Sequence, residues 1–382
     1  MKKSMMFLMV MVLFSSVFVG CRKEEVTNQP VEEKEVVEST EEANKEVGKM
    51  VEFTDMLGRK VQVPAEIKTI ATPNVDAYRI LVQLGAQDML VGAPSNMYGS
   101  KYSDVDTVEV LAWQEVKVLD KVGGGPPNSE INIEKLIDLK PDVIISWSYG
   151  NGEAGIGQAD LLQEKSQIPV LCLNSISKTD ATMKNVEEAY AMMGSITGEE
   201  TRAKELVNYY KLEVGKVKKI IDDANVTPAR FYMCSPGNIL RASNSYIPPK
   251  QLGFENVGLE IGIKGGEITK EHLITWNPDY IFMHTPSKVY RVDLEEIKKD
   301  PVLKSVSAIQ NNQVYHLKSF YMGWDIATGV VDTYIIAKVA YPSLFEDIDM
   351  GEKGEEILKE FYQAEGLYES LRVNSDLPSF IE

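Results

Sequence analysis

Ile133–Ser148 reads IEKLIDLKPDVIISWS, and Lys270–Thr285 reads KEHLITWNPDYIFMHT. In each stretch a glutamate, Glu134 or Glu271, is followed seven residues later by proline and eight later by aspartate, then by an apolar run. Proline closes a helix because it disfavours helical backbone in the residue before it. A short helix stopped in this way and followed at once by an apolar strand is a corner of a layered α/β fold. The chain carries that corner twice, more than a hundred residues apart, which predicts two similar lobes with one copy in each.

The sequence on either side extends this reading. VEFTDMLGRKVQVP opens as a hairpin, with two alternating runs flanking Asp55-Met56-Leu57-Gly58. KTIAT, MLVGAP, DVIISW and PVLCL then read as strands, alternating with helical VDAYRILVQLG, INIEKLIDLK and QADLLQEKS. Strands that alternate with helices pair in parallel. Residues 178–224 carry no strand signal, and their apolar residues recur at helical spacing, with a break near Gly194 and Gly198. A helix running about 25 residues from Glu199 would be about 37 Å long, which suits a strut between domains. The rhythm restarts with ARFYMCSP, YIFMH and QVYHL as strands and DLEEIKKDPVL and DTYIIAKVAYPSLF as helices. The expected fold is α/β, with two lobes, each a mostly parallel sheet flanked by helices, joined by one long α-helix. The expected boundaries are 1–20 for a signal peptide, 21–50 for a lipidated Cys and disordered tether, 51–177 for the N-terminal lobe, 178–226 for linking helices and 227–382 for the C-terminal lobe.

The 382 residues are 44% apolar, enough for two cores, and carry a net charge of −17. That charge argues against nucleic acid, whose phosphates recruit Lys and Arg, and against adsorption to anionic lipid by charge alone. Lys2 and Lys3 precede an apolar run from Met5 to Phe18, the order of a secretory signal. FVGC, ending at Cys21, resembles a bacterial lipobox, with Phe18 standing where Leu is usual. Acylated Cys21 would anchor the chain to the outer face of the cytoplasmic membrane, since two acyl chains suffice for stable anchoring. The alternative is a plain signal peptide followed by an incidental Cys. Residues 22–50 lack Trp, Tyr and Phe and read as a tether. Cys172 and Cys234 lie in apolar runs and read as small buried hydrophobes, without disulfide or zinc spacing.

DMLGRKVQVP, IEKLIDLKPDVIIS and DPVLKSVSAIQNNQVYHL together resemble the substrate-binding lipoproteins of ABC importers for iron-siderophore, haem and cobalamin complexes, over roughly residues 51–365. The resemblance implies two lobes joined by a long helix and a ligand held in the cleft between them. It implies partners as well: ABC permease and ATPase subunits, with Glu134 and Glu271 docking to Arg residues of the permease. Because each corner precedes its strand, whereas ligands bind beyond the strand's far end, neither glutamate is expected at the ligand.

In open α/β sheets ligands bind beyond the carboxyl ends of the strands. That rule selects Thr72, Asn74, Asn96, Met97, Tyr98, Trp147, Ser148 and Tyr149 in the first lobe, and Ser235, Asn238, His284, Tyr321, Trp324 and Asp325 in the second. The aromatics among them suit a flat or ring-bearing ligand. His284 could ligate a metal or haem, against the plainer reading of a satisfied histidine near the surface. The three histidines are scattered, so no bare metal site is expected, and a pre-formed complex or an oxyanion fits better. The Gly-rich stretches VGGGPPN and GNGEAGIG lack a phosphate-loop lysine and read as mobile loops, the second with N–H groups that could meet an anion.

The leading expectation is an extracytoplasmic binding lipoprotein, not an enzyme, that delivers an iron-siderophore-like metal complex to an ABC importer. It would need no cofactor of its own, the metal (a ferric ion, for example) arriving with the ligand. It would act as a monomer and touch membrane only through its lipid anchor. Haem, corrinoid or oxyanion binding are alternatives on the same fold. A secreted metal-dependent enzyme is disfavoured because the chain lacks G-x-S-x-G and H-E-x-x-H motifs and a Cys–His pairing. A sensor ectodomain would need a membrane span, and no such apolar stretch follows the signal.

Overall fold

A computed structural model describes residues 48–95, 107–124, 130–148, 153–174, 183–235, 237–262, 265–284, 294–317 and 325–374. The expected signal peptide, Cys21 and most of the tether lie outside these residues.

Strands β1 (Met50–Thr54) and β2 (Lys60–Pro64) form the antiparallel hairpin, with Thr54 opposite Lys60. Asp55 shapes the turn: its Oδ1 accepts from the N–H groups of Leu57 and Arg59, each at 3.0 Å. The Arg59 guanidinium then reaches Asp55, Asp160 and the Val170 carbonyl, pinning the hairpin onto the lobe.

The first lobe follows as β3 (Ile70–Ala71), α1 (Val75–Leu84), β4 (Leu90–Ala93), α2 (Val108–Ala112), β5 (Asp120–Lys121), α3 (Ile133–Leu139), β6 (Val143–Ser148), α4 (Glu153–Ser166) and β7 (Val170–Asn174). All five strands are parallel, in the order β5-β4-β3-β6-β7. The chain adds β4 and β5 on one side of β3 and then crosses to place β6 and β7 on the other. Between β3 and β6, therefore, lies a topological switch point, where crossovers diverge and leave a crevice at the strand ends.

Helices α5 (Met183–Thr197) and α6 (Glu200–Ala224) link the lobes, separated by Gly198 with φ of 78°. The 25-residue span of α6 matches the expected strut. The second lobe comprises β8 (Arg230–Ser235), β9 (Asn238–Ala242), α7 (Ile247–Gln251), β10 (Glu255–Asn256), β11 (Gly266–Glu267), α8 (Lys270–Trp276), β12 (Tyr280–His284), α9 (Leu294–Lys299), α10 (Ser307–Gln310), β13 (Val314–Leu317), α11 (Ile326–Ala340), α12 (Met350–Tyr362) and α13 (Leu367–Asn374). Here β10, β8, β12 and β13 pair in parallel, while β9 and β11 join antiparallel.

Each sheet has an outer and an inner face. On the outer face of the first, Leu136 of α3 packs in one cluster with Ile144 and Val170. On the outer face of the second, Leu273 of α8 packs with Ile281 and Ile309. The inner faces share one continuous core that runs from Ile80 and Leu81 of α1 through Tyr190 and Val217 of the linking helices to Ile335 of α11 and Phe361 of α12. Helices α12 and α13 return to pack against α1 and α2 of the first lobe. The C-terminal segment thus contributes to both halves.

Candidate functional site

The switch point is built around Thr72 and Asn74. The Thr72 hydroxyl donates to the Ile145 carbonyl at 2.6 Å and accepts from the Asn74 N–H at 2.9 Å, tying the end of β3 to β6. Asn74 caps α1, its Oδ1 accepting from the N–H groups of Asp76 and Ala77. Such a side-chain cap satisfies donors that a helix start leaves open. The Asn74 Nδ2 group is buried without a hydrogen-bond partner among the described residues, an uncommon state that calls for a further acceptor. Against this loop packs Gly124, with φ of 78°; a Cβ there would stand 2.3 Å from the Pro73 carbonyl oxygen. The start of VGGGPPN is therefore fixed by close approach, where a mobile loop was expected, while residues 125–129 lie outside the described set. Trp147 is half-buried and packs on the shared core, and Ser148 ends β6 opposite Asn174.

In the second lobe Ser235 ends β8 and faces Asn238 across a tight turn in which Gly237 has φ of 70°. Ser235 is half-buried, and exposed Asn238 accepts from the Leu240 N–H. His284 ends β12 and stands edge-on to the Tyr246 ring, centroids 4.7 Å apart. Burial pushes its imidazole down to about 3, so it is neutral at pH 7. Asp325 is fully buried: it caps α11 through the N–H groups of Ala327 and Thr328, and accepts from Gln83 Nε2 at 2.7 Å and Tyr362 Oη at 3.3 Å. Thr72 and Asp325 are thus engaged in holding the fold together. Asn96, Met97, Tyr98, Tyr149, Tyr321 and Trp324 lie outside the described residues.

Sequence reading missed the buried polar joint around Asp325. Helix α1 is buried on every side, yet carries Asp76, Arg79 and Gln83. Arg79 pairs with Asp76 at 3.3 Å and with Glu109 of α2 at 3.2 Å. Burial alone would lower the Arg79 pKa; Glu109, Asp325, Tyr362 and Asp76 outweigh it and raise the value above its ordinary level. The hydroxyl of Tyr190 on α5 donates to Gln83 Oε1, and Gln83 in turn donates to Asp325 across the lobes. The available signal was the run VDAYRILVQL itself, in which charged and amide side chains interrupt an otherwise apolar helix.

The doubled corners share their construction. Helix α3 starts at Asn132, whose Oδ1 accepts from the Lys135 N–H; α8 starts at Thr269, whose N–H donates to His272 Nδ1. Both end on a left-handed residue, Lys140 with φ of 48° and Asn277 with φ of 43°, followed by buried Pro141 and Pro278. Asp142 then accepts from the Lys68 and Thr69 N–H groups, and Asp279 from the Arg230 N–H. Glu134 and Glu271 are exposed in the first turn of each helix. The Thr69 hydroxyl closes the first corner by accepting from the Asp142 N–H, whereas the Thr269 hydroxyl keeps the Glu271 carboxyl below its usual range. The prolyl corner marks the entry end of β6. Glu134, however, begins the helix where the Asn132 N–H meets the Val122 carbonyl just beyond β5, at the same end of the sheet as the switch-point loops. The glutamate therefore flanks that end instead of lying opposite it.

Elsewhere, a groove of about 450 Å³ between α5 and α6, lined by Glu187, Tyr190, Lys204 and Lys211 among others, lies on the linking helices and away from the strand ends. Among the described residues no cluster of three or more His, Cys, Asp or Glu is placed to hold a metal ion, and no helix is long and apolar enough to cross a membrane. Cys172 and Cys234 are both buried; burial and nearby Asp55 push the Cys172 thiol up to about 12.

A family model described as periplasmic binding protein matches residues 70–321. The chain is 25% identical over 339 residues to the molybdate-binding protein MolA of Haemophilus influenzae, covering 81% of this chain and 90% of that one. It is 26% identical over 219 residues to the iron-uptake system-binding protein of Bacillus subtilis, covering 52% and 62% respectively. The crystal structure of a periplasmic solute binding protein from Veillonella parvula superposes with a TM-score of 0.69 at 18% identity, over 86% of this chain and 97% of that one.

Proposed function

Since this chain belongs to the periplasmic binding protein family, we propose that it captures a metal-organic complex of the iron-siderophore type between its lobes and hands it to an ABC importer. It is an extracytoplasmic substrate-binding protein of the kind that works with the permease and ATPase subunits of an ABC importer. The observation that carries the reading is the switch point at the ends of β3 and β6 in the first lobe, beside a second lobe that carries its own parallel strands, β8 and β12, ending at Ser235 and His284. A relative named for iron uptake supports an iron complex as cargo. In this reading Trp147, with Tyr98, Tyr149, Tyr321 and Trp324, supplies stacking area for the ligand, while Asn74, Asn96, Met97, Ser148, Ser235, Asn238 and His284 line the approach. Glu134 and Glu271 dock to basic residues of the permease. Cys21 carries the lipid anchor, and the protein acts as a monomer.

A second reading is an oxyanion. It is favoured by the buried Asn74 Nδ2 donor at the start of α1, where the helix end also favours negative charge, and by the molybdate-binding relative. Native mass spectrometry of protein purified from its own host, with metal analysis, tests both. A mass increment of an organic complex carrying iron is expected; a small oxyanion mass overturns the first reading in favour of the second. Titration with a ferric siderophore and with molybdate, followed by tryptophan fluorescence, gives an independent check.

A further inference from the structure

Both corners expose an aliphatic side chain on a helix face that is otherwise polar. Ile137 of α3 is 43% exposed and Ile274 of α8 is 39% exposed. Each stands three residues after its glutamate, a spacing that makes the two side chains neighbours on one helix surface. The core slot is filled one residue earlier, by Leu136 and Leu273, both at 0%. The burial pattern of 133–142 repeats in 270–279 except at the seventh and tenth positions. A single exposed apolar residue is ordinary. An exposed isoleucine at the matching position of two different lobes, each beside an exposed glutamate, is a duplicated surface that neither core explains.

We propose that Ile137 and Ile274 are the apolar halves of a paired docking surface, and that the partner is a membrane complex of two equivalent halves, each presenting a basic side chain beside a small apolar recess. The proposal rests on the docking role of Glu134 and Glu271 and adds what gives the contact its strength. Exposed ion pairs steer encounter and set register but add little net affinity. Apolar anchors seated in a recess and ringed by polar contacts hold a complex together. Charge decides between occupants. A second copy of this chain, with net charge −17, would set Glu against Glu, and an anionic lipid surface would repel both patches. A basic socket complements them.

The test uses the full chain and the host's permease–ATPase complex in lipid nanodiscs, without ligand. Binding kinetics and ATPase stimulation are measured for Ile137→Ser, Ile274→Ser, Glu134→Arg and Glu271→Arg, with melting curves to verify folding. Each isoleucine variant is expected to melt like the wild type and to weaken docking about tenfold through faster dissociation, with an unchanged salt dependence. Each glutamate variant is expected to slow association and flatten the salt dependence. Isoleucine variants that dock like the wild type while glutamate variants fail would overturn the anchor proposal and leave the glutamate docking intact. Wild-type docking by all four variants would overturn both.

Discussion

Asn74 and Arg79 lie five residues apart on one short stretch, yet the sequence disclosed only the first. Asn74 follows a strand, so the strand-end rule reaches it; its dual use, Oδ1 on the helix and Nδ2 left open, is set by packing and is invisible in the residue string. Asn74→Ser keeps a cap oxygen and removes the amide donor without burying a new charge. If an anionic group of the ligand occupies that position, affinity for the cargo identified by mass spectrometry is expected to fall at least tenfold, about 1.4 kcal/mol, with little change in melting temperature. Arg79 belongs to the fold. Arg79→Met strips Asp76 and Glu109 of their guanidinium, and urea denaturation is expected to show a loss of about 3–5 kcal/mol. His284 gives stability a pH dependence of known sign. Its folded pKa, about 3, lies below the ordinary value, so the unfolded chain binds the extra proton. Its contribution is complete above the unfolded pKa of about 6.5 and is lost as pH falls from there toward the folded value. Glu213, whose pKa is lowered by Lys216, Tyr334 and Lys353 against the opposing effect of burial, contributes only in a lower window, beginning near the ordinary carboxylate pKa. Urea midpoints measured between pH 7 and about 5 should therefore fall more steeply in the wild type than in His284→Gln; parallel profiles would exclude His284 as the source.

At the scale of elements, legibility followed signal length. Helices α1, α3, α6 and α11 and strands β6, β7, β8 and β12 announce themselves because apolar periodicity runs over whole turns or whole strands. Strands β5, β10 and β11, each two residues long, carry no pattern of their own and exist because a neighbouring strand offers an edge. The seating of α13 is equally unreadable, since it depends on a glycine in a different helix. Gly354 of α12 lies under the Tyr368 ring, where a Cβ would stand 2.2 Å from the ring edge. Gly354→Ala is expected to unseat α13 at a cost of about 1–3 kcal/mol, the usual penalty of overpacking. Because α13 packs on α2, hydrogen exchange should quicken in both helices. Exchange confined to α13 would show that the C-terminal return does not brace the first lobe.

At the scale of the molecule, two lobes and a strut follow from alternating strands and helices and one long strandless stretch, but the way the lobes are locked does not. A sequence shows which residues are apolar; it does not show that α1, α5, α6, α11 and α12 pool them into one core. Nor does it show the polar ties across that core. Gln83 reaches Asp325, and Arg202 on α6 reaches the Gln83 carbonyl and pairs with Glu360 at 3.1 Å. A hinge requires a few residues free to change backbone angles. Here the connection is a continuous helix of 25 residues with its inner face buried in the shared core. Closing the lobes by a wide rotation would break the Gln83–Asp325 bond and expose apolar surface, so ligand capture is expected to proceed by movement of strand-end loops with the lobes nearly fixed. Small-angle scattering with and without a saturating ferric siderophore should then give superimposable curves in the wild type. Gln83→Ala, which leaves one Asp325 oxygen short of a donor, should loosen the joint and lower the melting temperature. A clear fall in the radius of gyration of the wild type on binding would mean that the shared core parts, and that the strut is a hinge after all.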